Sequence, residues 1–426
     1  MAEEELKEKV EKILMDNLVT GYSDSKGVEY TFIKPSTEQY SYQYFWDTCF
    51  HVYILCALDK SDLAKKTFRT LFAMQESTGF VGHIHYWNNV YPARITDIFQ
   101  NKISLGRDLL RTHMSSLIQP PLVAQTLQKI YETTKDKEYL KEMLPKLKLY
   151  FEWLSRNRDF DDDGLMSIIS PFESGMDWKA SYDPVIGFSH KQANKRLFWK
   201  VVEIDFRNFW HNYDHLKIRR RDKFRVEDAG FNTIYAQNLK ALGELCEIMG
   251  DIDAQKYKDR YVRVRDSILN LMYDEPDAAF YDLFSEKNRK LRILTPTIFF
   301  PVVIDGMPED VCDKVMKRHF FNENEFDTKY PIPSLAINDP AFNPEESMYI
   351  WRGPTWIFNN WFMHQYMLNK GYEEEAQQLI DAIVKLVEKS GFREYYNPFT
   401  GEGYGAKNFT WAGLVLDMMQ MHKRNE

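Results

Sequence analysis

The feature that most constrains this chain is a helical rhythm that comes in pairs. Apolar residues recur at helix spacing over 61–74, 122–134, 138–155, 231–249, 252–272, 308–319, 355–369, 372–389 and 409–422, the pattern of helices that bury one face. Short turns join several of them: Thr134-Lys-Asp-Lys137, Glu247-Ile-Met-Gly-Asp251 and Asn369-Lys-Gly-Tyr372. Turns this short fold neighbouring helices into antiparallel hairpins. Hairpins repeating every roughly 40 to 60 residues predict an all-α toroid or solenoid of paired helices. No Pro/Ser-rich linker or low-complexity tract interrupts the pattern, so residues 1–426 read as one domain. The stretch 183–226 is the least regular and is expected to lie over the mouth of the toroid as a long insertion. Residues 293–304 read either as a short β element or as a buried helix starting after Pro296. A closed ring gathers its connecting loops on two faces. Trp46-Asp47, Gln119-Pro-Pro, Glu173 to Asp177, Trp351-Arg352 and Glu394 all fall between helices, and are expected to converge on one face, where sites on rigid scaffolds sit.

Composition removes several functions. A net charge of −8 argues against general nucleic-acid binding, which needs a basic face; the run Lys217 to Arg225 is too short to reverse this. The four cysteines (Cys49, Cys56, Cys246, Cys312) have neither framework nor Cys-x-x-Cys spacing, which points to a reducing compartment. The charged start, Met-Ala-Glu-Glu-Glu-Leu-Lys, is unlike a signal peptide, and no apolar run is long enough to cross a membrane. The cytoplasm is the expected location, with no membrane partner.

Two carboxylates stand out. Asp177 lies in Pro-Phe-Glu-Ser-Gly-Met-Asp-Trp (171–178) and Glu394 in Gly-Phe-Arg-Glu-Tyr-Tyr-Asn-Pro (391–398). Aromatics, Gly and Pro surround both, so each is either a satisfied turn residue or an acid with a tuned pKa. Two such acids predict a general acid and a general base on opposite walls of a cleft. Aromatic walls suit the apolar face of a sugar ring, and two carboxylates in such a pocket are the requirement of glycoside hydrolysis. Asp47, in Tyr44-Phe-Trp-Asp-Thr48, reads equally as a helix N-cap and as a grip on sugar hydroxyls. Gln119 before two prolines either caps a helix or faces a ligand. Asp159 to Gly164 matches half a calcium loop but has Ser170 where the bidentate acid belongs, which favours an Asp-rich turn. His211/His215 and His83/His85 lack a third partner, so no metal site is expected. Gly401 to Ala406 follows no strand of a βαβ unit, which argues against a phosphate loop, and the chain has no Gly-x-Ser-x-Gly elbow.

In chain order, Tyr44-Phe-Trp-Asp47, Ile118-Gln-Pro-Pro121, Asp159 to Gly164, Glu173-Ser-Gly-Met-Asp177, Val226 to Asn232, Tyr349-Ile-Trp-Arg-Gly-Pro-Thr-Trp356 and Glu394 to Trp411 resemble the clan of inverting α-glycosidases that includes trehalase and glycoside hydrolase family 63. The last two motifs are closer to family 63. The short chain looks like the bacterial-type branch that hydrolyses mannosylglycerate or glucosylglycerate. The resemblance implies an (α/α)6 barrel, with Asp177 as general acid, Glu394 as general base and Glu402 as an assisting acid. It implies no cofactor. The chain departs from the family pattern at Trp178-Lys179, where Asn-Ser is expected, and this bears on the leaving group.

The expected reaction is inverting, exo-acting hydrolysis of a small α-glucoside or α-mannoside. The two carboxyls should stand roughly 6.5–9.5 Å apart, leaving room for water. Trp46, Trp351, Trp356 and Trp411 are expected to wall the sugar, with Asp47, Gln119 and Arg352 contacting its hydroxyls; Trp178, which helps bury Asp177, is also expected to bind substrate. Arg219, Arg220, Arg221 and Tyr213 are expected to clamp a short acidic leaving group; the other reading of these arginines is a solvated basic turn. A phosphorylase or lyase on a similar toroid, and a non-catalytic carbohydrate-binding scaffold, are the rival functions.

Overall fold

The computed structural model describes residues 1–24, 26–87, 113–221 and 223–425. In chain order its main helices are α1 (Glu3–Asp16), α2 (Phe45–Ala57), α3 (Ser61–Phe72), α4 (Val123–Thr134), α5 (Lys137–Arg158), α6 (Lys195–Trp210) and α7 (His215–Arg221). They continue with α8 (Ala229–Ile248), α9 (Ala254–Ser267), α10 (Glu309–Val315), α11 (Ile357–Asn369), α12 (Glu373–Ser390) and α13 (Val415–Asn425).

Two kinds of helix alternate. In α2 every residue except Tyr53 is buried, and α11 buries all but Gln365 and Asn369. Helices apolar on all sides belong inside. By contrast α12 buries only a stripe, Ala376, Leu379, Ile380, Ala382, Ile383, Leu386 and Val387, and its charged face meets solvent. The inner elements pack in sequence: α2 on α4, α4 on α8, α8 on the turn Phe300–Val303, that turn on α11, α11 on α13, and α13 back on α2. Outside them α3 packs on α2, α5 on α4, α9 on α8, α10 on Phe300–Val303 and α12 on α11, while α1 packs on Thr410–Leu414 just before α13. Asp228 caps α8, its carboxylate accepting from the Phe231 amide at 2.7 Å. The largest apolar cluster runs from Leu6 to Met418, and all four cysteines lie buried and free.

Two stretches differ from the sequence reading. Residues 293–304 are neither strand nor long helix but two short 3-10 turns, Pro296–Ile298 and Phe300–Val303, since Pro296 and Pro301 each fit a first turn and prevent a longer ladder. Within 183–226 lies a sixteen-residue helix, α6. Its inward residues Leu197, Val201, Ile204, Asp205 and Asn208 keep helical spacing. Exposed Trp199, Phe206 and Trp210 on the outer side hide that spacing in the sequence.

Candidate active site

The segments leading into the inner helices enclose a cavity of about 690 Å³. Trp46 and Asp47 open α2, Gln119 precedes α4, Trp356 caps α11 and Trp411 precedes α13. Asp177 and Trp178 come from the loop 171–183, and Glu394 from a hairpin.

The loop carrying Asp177 has little regular structure of its own and is held by four buried ion pairs. Arg158 grips Glu173 with two parallel hydrogen bonds of 2.6 and 2.5 Å, and the same carboxylate accepts from the amides of Ile118 at 3.0 Å and Ile169 at 2.8 Å. The Lys179 ammonium donates to Asp228, to Asp282 at 3.0 Å and to the Thr297 hydroxyl at 2.9 Å, using all three of its N–H groups. Arg352 forks onto Asp183 and donates through Nε to the Trp178 carbonyl at 2.9 Å. Gly175 lets this loop pass over Trp46: its φ is +73°, and a Cβ there would stand 2.5 Å from the indole. The Asp177 carboxyl that results has its pKa pushed up to about 8. Burial is the main cause, followed by the negative charges of Glu394, Asp205 and Asp47.

Glu394 sits where strand Arg393–Tyr396 pairs with Gly403–Lys407, at a register shift between Arg393 and Tyr395. A bulge of this kind turns a side chain out of the ladder, here into the cavity. Its Oε1 accepts from the Tyr40 hydroxyl at 2.6 Å and its Oε2 from the Ala406 amide at 2.9 Å. Burial raises its pKa while these two bonds pull it down. Gly405, at φ +64°, lies so close that a Cβ would stand 2.5 Å from Glu394 Oε2.

Aromatic rings make the walls. Trp351 and Trp356 stack at 4.0 Å, Trp356 continues onto Tyr395 at 5.2 Å, and Trp46 meets Trp411 edge-on at 5.3 Å. Polar atoms are fixed among them: Trp411 Nε1 donates to Asp47 Oδ1 at 2.8 Å, and the Trp46 amide donates to Gln119 Oε1 at 3.1 Å. Burial lifts the Asp47 pKa to about 7.

Of the residues singled out from the sequence, Trp46, Asp47, Gln119, Asp177, Trp178, Trp351, Trp356, Glu394 and Trp411 line this cavity together. Arg352 and Glu402 do not. Arg352 is consumed behind the wall by Asp183 and Trp178, and Glu402 is exposed, its carboxylate accepting from the Tyr404 hydroxyl at 3.2 Å. Arg219, Arg220 and Arg221 are exposed on α7 and Tyr213 is buried; none lines the cavity. Tyr40, Tyr42, Tyr44, His83, Phe198 and Met348 do line it and were missed as site residues. Only the crowding of tyrosines at 40, 42 and 44 hinted at the first three. The Asp-rich loop is a turn, with the Asp159 carboxylate accepting from the amides of Asp163 and Gly164, both at 3.1 Å. Among the described residues no three His, Cys, Asp or Glu side chains are arranged to hold a metal.

A family model described as a mannosylglycerate hydrolase MGH1-like glycoside hydrolase domain matches residues 40–412. The chain is 26% identical over 407 residues to the mannosylglycerate hydrolase of Thermus thermophilus, covering 90% of this chain and 95% of that one. It is likewise 26% identical over 427 residues to the glucosylglycerate hydrolase of Mycolicibacterium hassiacum, covering 89% and 92%. The crystal structure of a glycoside hydrolase family 63 mannosylglycerate hydrolase from Thermus thermophilus, in complex with Tris, superposes with a TM-score of 0.83 at 24% identity. That superposition covers 97% of this chain and all of that one, so the two share a fold.

Proposed function

The chain belongs to the MGH1-like mannosylglycerate hydrolase family of glycoside hydrolase domains, and from that premise we propose that it is an inverting, exo-acting α-glycosidase of small α-mannosides or α-glucosides. Mannosylglycerate and glucosylglycerate, the substrates named for its relatives, are the first to assay. The observation that carries the reading is one cavity with two carboxyls, both raised by burial, of which Glu394 is drawn back by hydrogen bonds from Tyr40 and Ala406 while Asp177 is raised further by negative neighbours. Asp177, lifted to about 8, holds its proton at neutral pH and gives it to the leaving oxygen. Glu394, with two hydrogen bonds favouring its charged form, takes a proton from water as that water attacks the anomeric carbon from the other face. A separation of roughly 6.5–9.5 Å suits this single displacement. Rate should rise as Glu394 ionises above the ordinary Glu range and fall as Asp177 loses its proton near its raised pKa.

The closed order of inner-helix contacts supports an (α/α)6 barrel formed by one catalytic domain, residues 1–426. Phe198 on the cavity wall supports placing 183–226 over the mouth. No helix among the described residues is long and apolar enough to cross a membrane, and the free cysteines fit a cytoplasmic location. Proton NMR of the first product formed tests the mechanism. The β-anomer is expected from an α-glycoside, at a rate independent of inorganic phosphate. An initial α-anomer excludes inversion, and a phosphate requirement makes the enzyme a phosphorylase.

A further inference from the structure

Trp178 follows Asp177 directly. A general acid sits against the oxygen that leaves, so a ring lining the same cavity beside it lies within reach of the departing group. Three other rings fix Trp178. Phe172 meets it edge-on at 6.0 Å, Tyr349 edge-on at 5.2 Å, and Phe198 lies nearly parallel at 6.3 Å. Trp178 and Phe198 both reach the cavity, as do Met348 and Ile350, which flank Tyr349. Met348 is 50% exposed, so this apolar strip runs from beside the acid out to the mouth.

The charge of the cavity points the same way. The two cations touching this wall from behind are already paired, Lys179 with Asp228 and Asp282, and Arg352 with Asp183. Among the described lining residues there is no Lys or Arg, while Glu38, Asp47, Asp177, Glu346 and Glu394 are all present. Such a wall favours a ring with a flat apolar face.

Resting on the reading of Asp177 as general acid, we infer that Trp178 and Phe198 form a leaving-group subsite for an uncharged ring with an apolar face, a pyranose or an aryl group. The experiment compares kcat/KM of the wild type, Trp178→Asn and Phe198→Ala on three substrates with the same glycosyl group: a disaccharide, an aryl α-glycoside and a glycerate glycoside. Dividing variant by wild type on each substrate cancels the intrinsic reactivity of the leaving group. Both variants should lose at least tenfold more on the ring substrates than on the glycerate glycoside. Loss on the disaccharide assigns the subsite to a pyranose; loss confined to the aryl substrate assigns it to an aryl group. Equal losses on all three, or a larger loss on the glycerate glycoside, overturn the inference. Phe198 is only half-buried, so its variant keeps the test open if Trp178→Asn misfolds. Asp177→Asn is measured alongside: retained turnover would sink the general-acid reading itself, a result distinct from a failed subsite.

Discussion

The two walls of the cavity hold their carboxyls by opposite means. The loop 171–183 has only short turns of backbone structure and relies on side-chain ion pairs, Arg158–Glu173, Lys179 with Asp228 and Asp282, and Arg352–Asp183. The hairpin Arg393–Tyr396/Gly403–Lys407 relies on its backbone ladder and one bulge. Their electrostatics differ in the same way. On the first wall the charges are paired with one another, and Asp177 feels mainly burial and negative neighbours. On the second wall a tyrosine hydroxyl and an amide are aimed at Glu394 itself. A wall that must keep a proton withholds partners from its carboxyl; a wall that must accept one supplies them.

The largest effects test whether both walls are needed. Asp177→Asn and Glu394→Gln should fold normally, by circular dichroism, yet lose turnover by about a thousandfold or more. A variant keeping over a tenth of wild-type kcat would take its wall out of the mechanism. Next comes the claim that ion pairs hold only the acid wall. Arg158→Met strands the Glu173 carboxylate, which is fully buried, and should lower stability in urea unfolding by about 3–5 kcal/mol. An unchanged midpoint would show that the loop is held by other contacts. On the base wall Gly405→Ala adds strain at φ +64° and crowds Glu394 Oε2. Turnover should drop about tenfold, with a much smaller change in stability than for Arg158→Met. The finest distinction is Tyr40→Phe. Its hydrogen bond holds the Glu394 pKa down, so removing it must raise that pKa and move the acidic limb of the kcat/KM profile to higher pH. The alkaline limb, set by Asp177, should move less. A shift of the alkaline limb alone would assign the base to another group.

Much of this was legible in the chain because it is local. The hairpin rhythm marked α4, α5, α8, α9, α11 and α12, since buried faces impose helical spacing wherever a helix forms. Asp177 and Glu394 stood out because Gly, Pro and aromatics around an acid are visible without knowing the fold. Arg352 misled because its motif placed it among site residues, and nothing local announces that Asp183, 169 positions away, already holds it. Glu402 misled because the hairpin exposes it while turning Glu394 inward. Helix α6 was missed because aromatics on its solvent side filled the polar half of the pattern.

By itself the sequence determined that this chain folds into paired helices and that acids and tryptophans stand between them. These are properties of neighbours along the chain: periodicity, caps and turns. Only the tertiary structure decided which groups tune which. Tyr40 reaches Glu394 across 354 positions, Trp411 reaches Asp47 across 364, and Lys179 finds Asp282 across 103. A pKa depends on burial and on the charges and donors within a few ångströms, and because α13 packs back on α2 some of those neighbours come from opposite ends of the chain.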